Sequence, residues 1–157
     1  MAPPLPLKIE ARIGVQTPAD VIWAMVSDIN GWPAWNPLYP KAAGEVQFGA
    51  KLTLEVALPG EPPRPIHATV LDWTPDEQII WNTRMMGGLL RTTRYIEIES
   101  LGPNNCIFSN GELFEGPMMR LISRKQRRAI KAGFTAFCET VRQRAEATWK
   151  AQAAEAT

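Results

Sequence analysis

The sequence predicts an α+β domain in which a curved antiparallel sheet of about seven strands wraps a long C-terminal helix, with two short helices after the first strand. Three observations carry that reading. Apolar and polar residues alternate without a break from Leu7; about six shorter strand-like segments follow, punctuated by Pro and Gly; and a 3.6-residue apolar period runs from Pro117 to Trp149. Successive short strands joined by tight turns pair antiparallel rather than through crossover helices. Such a sheet must cover its apolar face, and the last helix is the only cover the pattern offers.

In the first strand Leu7, Ile9, Ala11, Ile13 and Val15 point one way, while Lys8, Glu10, Arg12, Gly14 and Gln16 point the other. Thr17-Pro18-Ala19-Asp20 reads as a helix start, with Thr17 as N-cap, Pro18 at N1 and an acid in the first turn. Val21, Ile22, Met25 and Val26 supply its stripe, and the helix is expected to end near Asn30-Gly31. Trp32-Pro33-Ala34-Trp35-Asn36-Pro37 is a compact aromatic turn or a second short helix. Lys51 to Leu58 alternates cleanly, and Pro59-Gly60-Glu61-Pro62-Pro63 breaks it. Further breaks fall at Thr74-Pro75-Asp76, Gly87-Gly88 and Gly102-Pro103-Asn104-Asn105. Gly116-Pro117 opens the final helix, with Pro117 at N1. Ile122, Gln126, Ile130, Gly133, Phe137, Val141 and Ala145 follow its inner face; Arg124, Arg127, Arg128 and Lys131 fall largely on the outer one.

Composition bounds the function. The chain has 157 residues, enough for a single domain with its own core, and residues 1–6 and 150–157 are expected to be loose tails. It is 45% hydrophobic, which argues against a disordered chain, and its net charge of +1 provides no global field for nucleic acid. Cys106 and Cys138 lack metal-ligand or CxxC spacing and are expected to be reduced, buried thiols. No secretory signal pattern and no apolar run of membrane-spanning length is visible, so a soluble cytoplasmic protein is expected. His67 is the only histidine. It sits on the outer face of its predicted strand, which argues against a His-based metal site or a nucleophile–histidine pair. No phosphate-loop, dinucleotide or zinc-protease motif is present, and neither cofactor nor metal is expected.

The order of elements, together with Asp28, the Trp32-x-x-Trp35-Asn36-Pro37 turn and Asn110-Gly111-Glu112-Leu113-Phe114-Glu115-Gly116 leading into the last helix, resembles the START-domain/polyketide-cyclase superfamily with its helix-grip fold. The resemblance covers about Leu7 to Trp149. It implies an apolar cavity between sheet and helix that takes a lipid, a polyketide or another hydrophobic ligand; a minority of such proteins are cyclases or related enzymes. It brings no single catalytic signature, so binding or transport is favoured over catalysis.

Hairpin arithmetic suggests which residues face that cavity. A two-residue loop at Gly87-Gly88 sets Met85 opposite Leu90, Trp81 opposite Arg94 and Ile79 opposite Ile96. A loop from Leu101 to Asn105 sets Ile98 opposite Phe108, Ile96 opposite Asn110 and Arg94 opposite Glu112. Both registers put Ile79, Trp81, Met85, Ile96, Ile98, Phe108 and Phe114 on one face, and a one-residue slip in either hairpin would destroy that agreement. Trp81, Met85, Ile96, Phe108, Phe114, Gly133 and Phe137 are therefore the expected apolar lining. Gly133 in the inner stripe either leaves room for a ligand or allows close packing. Arg94, Asn110 and Glu112 share the covered face and cannot stay unpaired there. They form either a structural ion pair or the anchor for the ligand's polar end. The alternative function is a cyclase- or dehydratase-type enzyme with Glu112 as acid/base and Arg94 holding an enolate-like oxygen. A third is a module whose groove takes a protein segment. The basic run from Arg120 to Lys131 is either a solvated face or a transient contact with an anionic membrane. It lacks aromatics for stacking bases, so nucleic acid is not an expected partner. The sequence leaves the oligomeric state open.

Overall fold

The computed structural model describes residues 5–156. Seven strands form one antiparallel sheet: β1 (Leu7–Val15), β2 (Lys41–Ala43), β3 (Lys51–Val56), β4 (Arg64–Thr74), β5 (Gln78–Met85), β6 (Leu90–Gly102) and β7 (Asn105–Glu115). Their spatial order is β1-β7-β6-β5-β4-β3-β2. A meander from β2 to β7 thus returns the chain beside β1, while the segment between β1 and β2 crosses from one edge to the other. That crossing segment holds α1 (Ala19–Val26) and a 3-10 turn (Ile29–Ala34). The long helix α2 (Arg124–Glu155) covers the sheet.

Both predicted hairpin registers are present, with Met85 opposite Leu90, Trp81 opposite Arg94, Ile98 opposite Phe108 and Arg94 opposite Glu112. The reason is the pleat: only this register sends Ile79, Trp81, Ile96, Phe108 and Phe114 together into the core, where each is buried. His67 is exposed, as its position opposite to Ala68 and Val70 requires.

Several local expectations need correction. The helix after β1 starts one residue late, with Pro18 as its N-cap; the buried Thr17 hydroxyl donates to the Pro18 carbonyl instead of capping. It also stops at Val26, short of Asn30-Gly31. The β5–β6 loop closes over Met86–Leu89, not Gly87-Gly88 alone, with Met86 and Gly87 both at positive φ. Pro117 opens a separate 3-10 turn (Pro117–Leu121), not the long helix. The helix proper starts after Ser123, whose hydroxyl accepts from Gln126 N–H while the Gln126 side chain accepts from Ser123 N–H. This capping box outcompetes Pro117 as a start signal, and it takes Gln126 out of the buried stripe. At the other end α2 runs helically to Glu155, so most of the expected tail after residue 149 is helix; residues 1–4 and 157 of the expected tails lie outside the described residues.

The buried face of α2 is Ile130, Gly133, Phe134, Phe137, Cys138, Val141 and Ala145. Gly133 serves close packing: a Cβ there would lie 3.0 Å from Leu38 Cδ1 and 3.2 Å from Leu58 Cδ2. Trp32, from the aromatic turn, is fully buried and donates its indole N–H to the Val26 carbonyl. Among the described residues, no helix is long and apolar enough to cross a membrane.

Candidate functional site

The space between sheet and helix divides into two halves. In one, Trp32, Phe108 and Phe137 fill the gap, with Phe108 stacked on Phe137 at 5.4 Å and Trp32 edge-on to Phe137 at 6.3 Å. In the other, a cavity of about 120 Å³ remains. Strand residues Leu54, Val56, Ile66, Trp81 and Phe114 wall it on one side, and Ile130 and Phe134 of α2 on the other. The Pro-rich connection between β3 and β4 contributes Leu58, Glu61 and Pro62.

Where the two halves meet sits Arg94, 3% exposed. Its guanidinium lies 4.0 Å from the Phe134 ring centroid and 5.5 Å from that of Trp81. Nε donates to Tyr39 Oη at 3.1 Å, and one terminal nitrogen donates to the Tyr95 and Gly111 carbonyls. The other donates to Asn110 Oδ1 at 2.8 Å. These are four bonds from a group with five N–H donors. Asn110, fully buried, passes the connection on by donating Nδ2 to the Phe134 carbonyl at 3.1 Å, which ties β7 to α2.

Glu112 lines the cavity, half-buried. Of the two alternatives for Arg94 and Glu112, the ion pair does not form: among the described residues the ion pairs are Lys8–Glu10, Arg12–Glu99 and Lys41–Glu55, all at the outer surface. Arg94 is already held by neutral acceptors, so the two side chains sit opposite in register without pairing. Burial pushes the Glu112 carboxyl above its usual pKa; the more distant positive charge of Arg94 and the hydroxyl of Thr92 only partly offset it. Thr92 is in turn hydrogen-bonded to Thr83, and both hydroxyls are buried. Tyr39 is likewise held above its usual pKa, first by burial, so it stays a neutral hydroxyl. Its oxygen accepts from Arg94, which leaves its own O–H free to donate.

The polar part of the wall therefore offers donors, Tyr39 O–H and the remaining Arg94 N–H, beside Glu112, whose carboxyl burial biases towards its protonated form. Such a grouping receives an acceptor oxygen and, being fixed and desolvated, stabilises negative charge developing on it.

Of the sequence-predicted residues, Trp81, Met85, Arg94, Glu112 and Phe114 line the cavity. Ile96, Phe108, Asn110, Gly133 and Phe137 do not: Trp32 and Tyr39 enter from the crossing segment and pack on Phe137, and Leu38 and Leu58 close over Gly133. Sequence reasoning missed Tyr39, Thr83, Ile130 and Phe134, and with them the β3–β4 side of the wall, from Leu54, Val56 and Leu58 through Glu61, Pro62, Arg64 and Pro65 to Ile66. Thr83 and Phe134 were within reach: Thr83 shares the parity of Trp81 and Met85, and Phe134 stands one helical turn beyond Ile130. Tyr39 had no such signal.

A family model described as "Polyketide cyclase / dehydrase and lipid transport" matches residues 6–146. Among solved structures the chain is similar to the Zhui aromatase/cyclase from Streptomyces sp. R1128, with a TM-score of 0.72, 18% identity, and coverage of 90% of this chain and 94% of that one. Norcoclaurine synthase from Thalictrum flavum, in complex with dopamine and hydroxybenzaldehyde, gives a TM-score of 0.66 at 16% identity, covering 88% and 86%. A START superfamily protein from Mycobacterium smegmatis gives 0.65 at 18%, covering 90% and 98%. At these identities the likeness concerns the fold, which is the helix-grip arrangement of a curved sheet closed on a C-terminal helix. No curated protein sequence matches the chain.

Proposed function

The chain belongs to the polyketide cyclase/dehydrase and lipid transport family, and from that premise we propose that it binds or carries a small hydrophobic molecule bearing an acceptor oxygen. The observation that carries this reading is the cavity wall: mostly apolar, with Tyr39, Arg94 and Glu112 gathered beside Thr83, and Glu61 and Arg64 contributed from the β3–β4 side. Size narrows the class. Pockets for drug-sized ligands run to roughly 300–1,000 Å³, whereas an apolar void of about 150 Å³ accommodates benzene. A cavity of about 120 Å³ suits one ring or a short chain. The single-ring compounds bound by norcoclaurine synthase are consistent in scale. Trp81 and Phe134 offer flat faces to such a ring, and the donor group receives its carbonyl or phenolic oxygen.

A second reading, a cyclase- or dehydratase-type enzyme, gains from one finding. Glu112 forms no ion pair with Arg94 and burial raises its pKa, which favours a carboxyl that can pass a proton to an oxygen that leaves or enolises. Tyr39 and Arg94 would then steady the charge on that oxygen.

Native mass spectrometry of the protein as purified, followed by extraction of what it holds, tests the binding reading: one retained apolar compound of defined mass supports it. Glu112→Gln then separates the two readings. A carrier should change affinity only, whereas an enzyme should keep binding and lose turnover. A protein that stays empty against single-ring ketones and phenols contradicts both.

A further inference from the structure

The end of the molecule beside the cavity mouth carries a surface that the ligand site does not use. Met86, Leu89 and Leu121 are 60%, 48% and 65% exposed. They belong to two segments, the β5–β6 turn and the Pro117–Leu121 turn, joined by Met118 N–H donating to the Leu89 carbonyl at 3.1 Å. The approach is close: a Cβ on Gly116, whose φ is +105°, would lie 2.3 Å from that carbonyl oxygen. Met85, a cavity residue, directly precedes Met86 in the chain.

Cations border this patch. Arg91 reaches back to the Gly88 carbonyl in the turn, Arg120 precedes Leu121, and Arg124, Lys125, Arg127 and Arg128 open α2, all of them exposed. No acid occurs between Gly116 and Gly133. Placing cations at the positive end of the helix macrodipole weakens the helix; Arg91 and Arg127 hold the Gly88 and Ile122 carbonyls, and an anionic partner accounts for the others.

We propose that this end docks reversibly on an anionic lipid surface, with Met86, Leu89 and Leu121 entering the headgroup boundary and the flanking cations holding lipid phosphates. Three side chains fall far short of the ~800 Å² per partner that a stable protein interface buries. A small apolar wedge beside a polybasic segment is, by contrast, enough for transient interfacial binding. The inference does not depend on what the cavity holds.

Co-sedimentation tests it, with vesicles of phosphatidylcholine containing about one third phosphatidylglycerol against phosphatidylcholine alone. The protein should sediment with the anionic vesicles only, and progressively less as salt rises. The double variant Arg124→Gln/Lys125→Gln should bind roughly thirtyfold more weakly, at about fivefold per charge. Leu121→Ser should cost about tenfold, with the melting temperature and the cavity's ligand binding kept. Failure to sediment, equal sedimentation with neutral vesicles, or unchanged binding by Leu121→Ser would overturn the proposal. So would light scattering that shows a dimer dissolved by Leu121→Ser, because the patch would then join two copies of the chain.

Discussion

The two halves of the sheet–helix space are built from the same elements yet do opposite things. One is closed by Trp32, Phe108 and Phe137; the other, a few residues along the same strands and helix, stays open between Phe114, Ile130 and Phe134. Arg94 stands between them. Strand alternation dictates only which face a residue points to. Whether that face is solid or hollow depends on what arrives from elsewhere in the chain, here the aromatic turn after α1.

The largest effect expected from breaking this contrast is at the closed half. Phe137→Ala should destabilise the fold by about 3–5 kcal/mol in urea titration, because its neighbours cannot collapse into the space. Met85→Ala, at the half-buried rim of the open half, should cost less than about 1 kcal/mol. Equal losses would mean that the two halves are packed alike. Next in size is the boundary. Arg94→Leu should cost about 3 kcal/mol, since it strips donors from Asn110 and from the Tyr95 and Gly111 carbonyls in the interior. Arg94→Lys should recover only part of that loss, because an ammonium cannot span those acceptors as a planar fork does.

Glu112 gives a smaller, pH-dependent effect. Its folded pKa lies above its unfolded value, so the folded state holds the extra proton between the two. Stability is therefore greatest below the ordinary carboxylate pKa and falls as pH rises towards the folded one. Glu112→Gln should remove that fall: it should melt higher than the parent at pH 8 and alike near pH 4. A parent that gains stability over that span relative to the variant would show that the carboxylate is paired after all. The smallest effect is predicted at Gly133. Gly133→Ala gains helix propensity but presses on the Leu38 and Leu58 methyl groups, and the balance should stay within about 1 kcal/mol.

Much of this architecture could be read from residue order. Alternation in Leu7 to Val15 and the paired registers of β5, β6 and β7 follow from side-chain period and turn position, and these alone set Arg94 opposite Glu112. Helix boundaries were less legible, since Pro117 and Ser123 are competing start signals only six residues apart. The site was legible by half. Trp81, Met85 and Phe114 were found through parity, whereas Phe108 and Phe137 were given to the cavity because nothing local announces that Trp32 fills their side. The missing Arg94–Glu112 pair has the same origin: Tyr39 and the Gly111 carbonyl, distant in sequence or silent in composition, hold the guanidinium first.

The most direct test of the central claim is methyl NMR of the methionines during titration with single-ring ketones and phenols, beside a Met85→Trp variant that fills the mouth. The Met85 methyl should shift and saturate while that of Met25, on α1, stays still, and the variant should not bind. Saturable binding that leaves Met85 unmoved, or that survives the filled mouth, would contradict the assignment of this cavity as the ligand site.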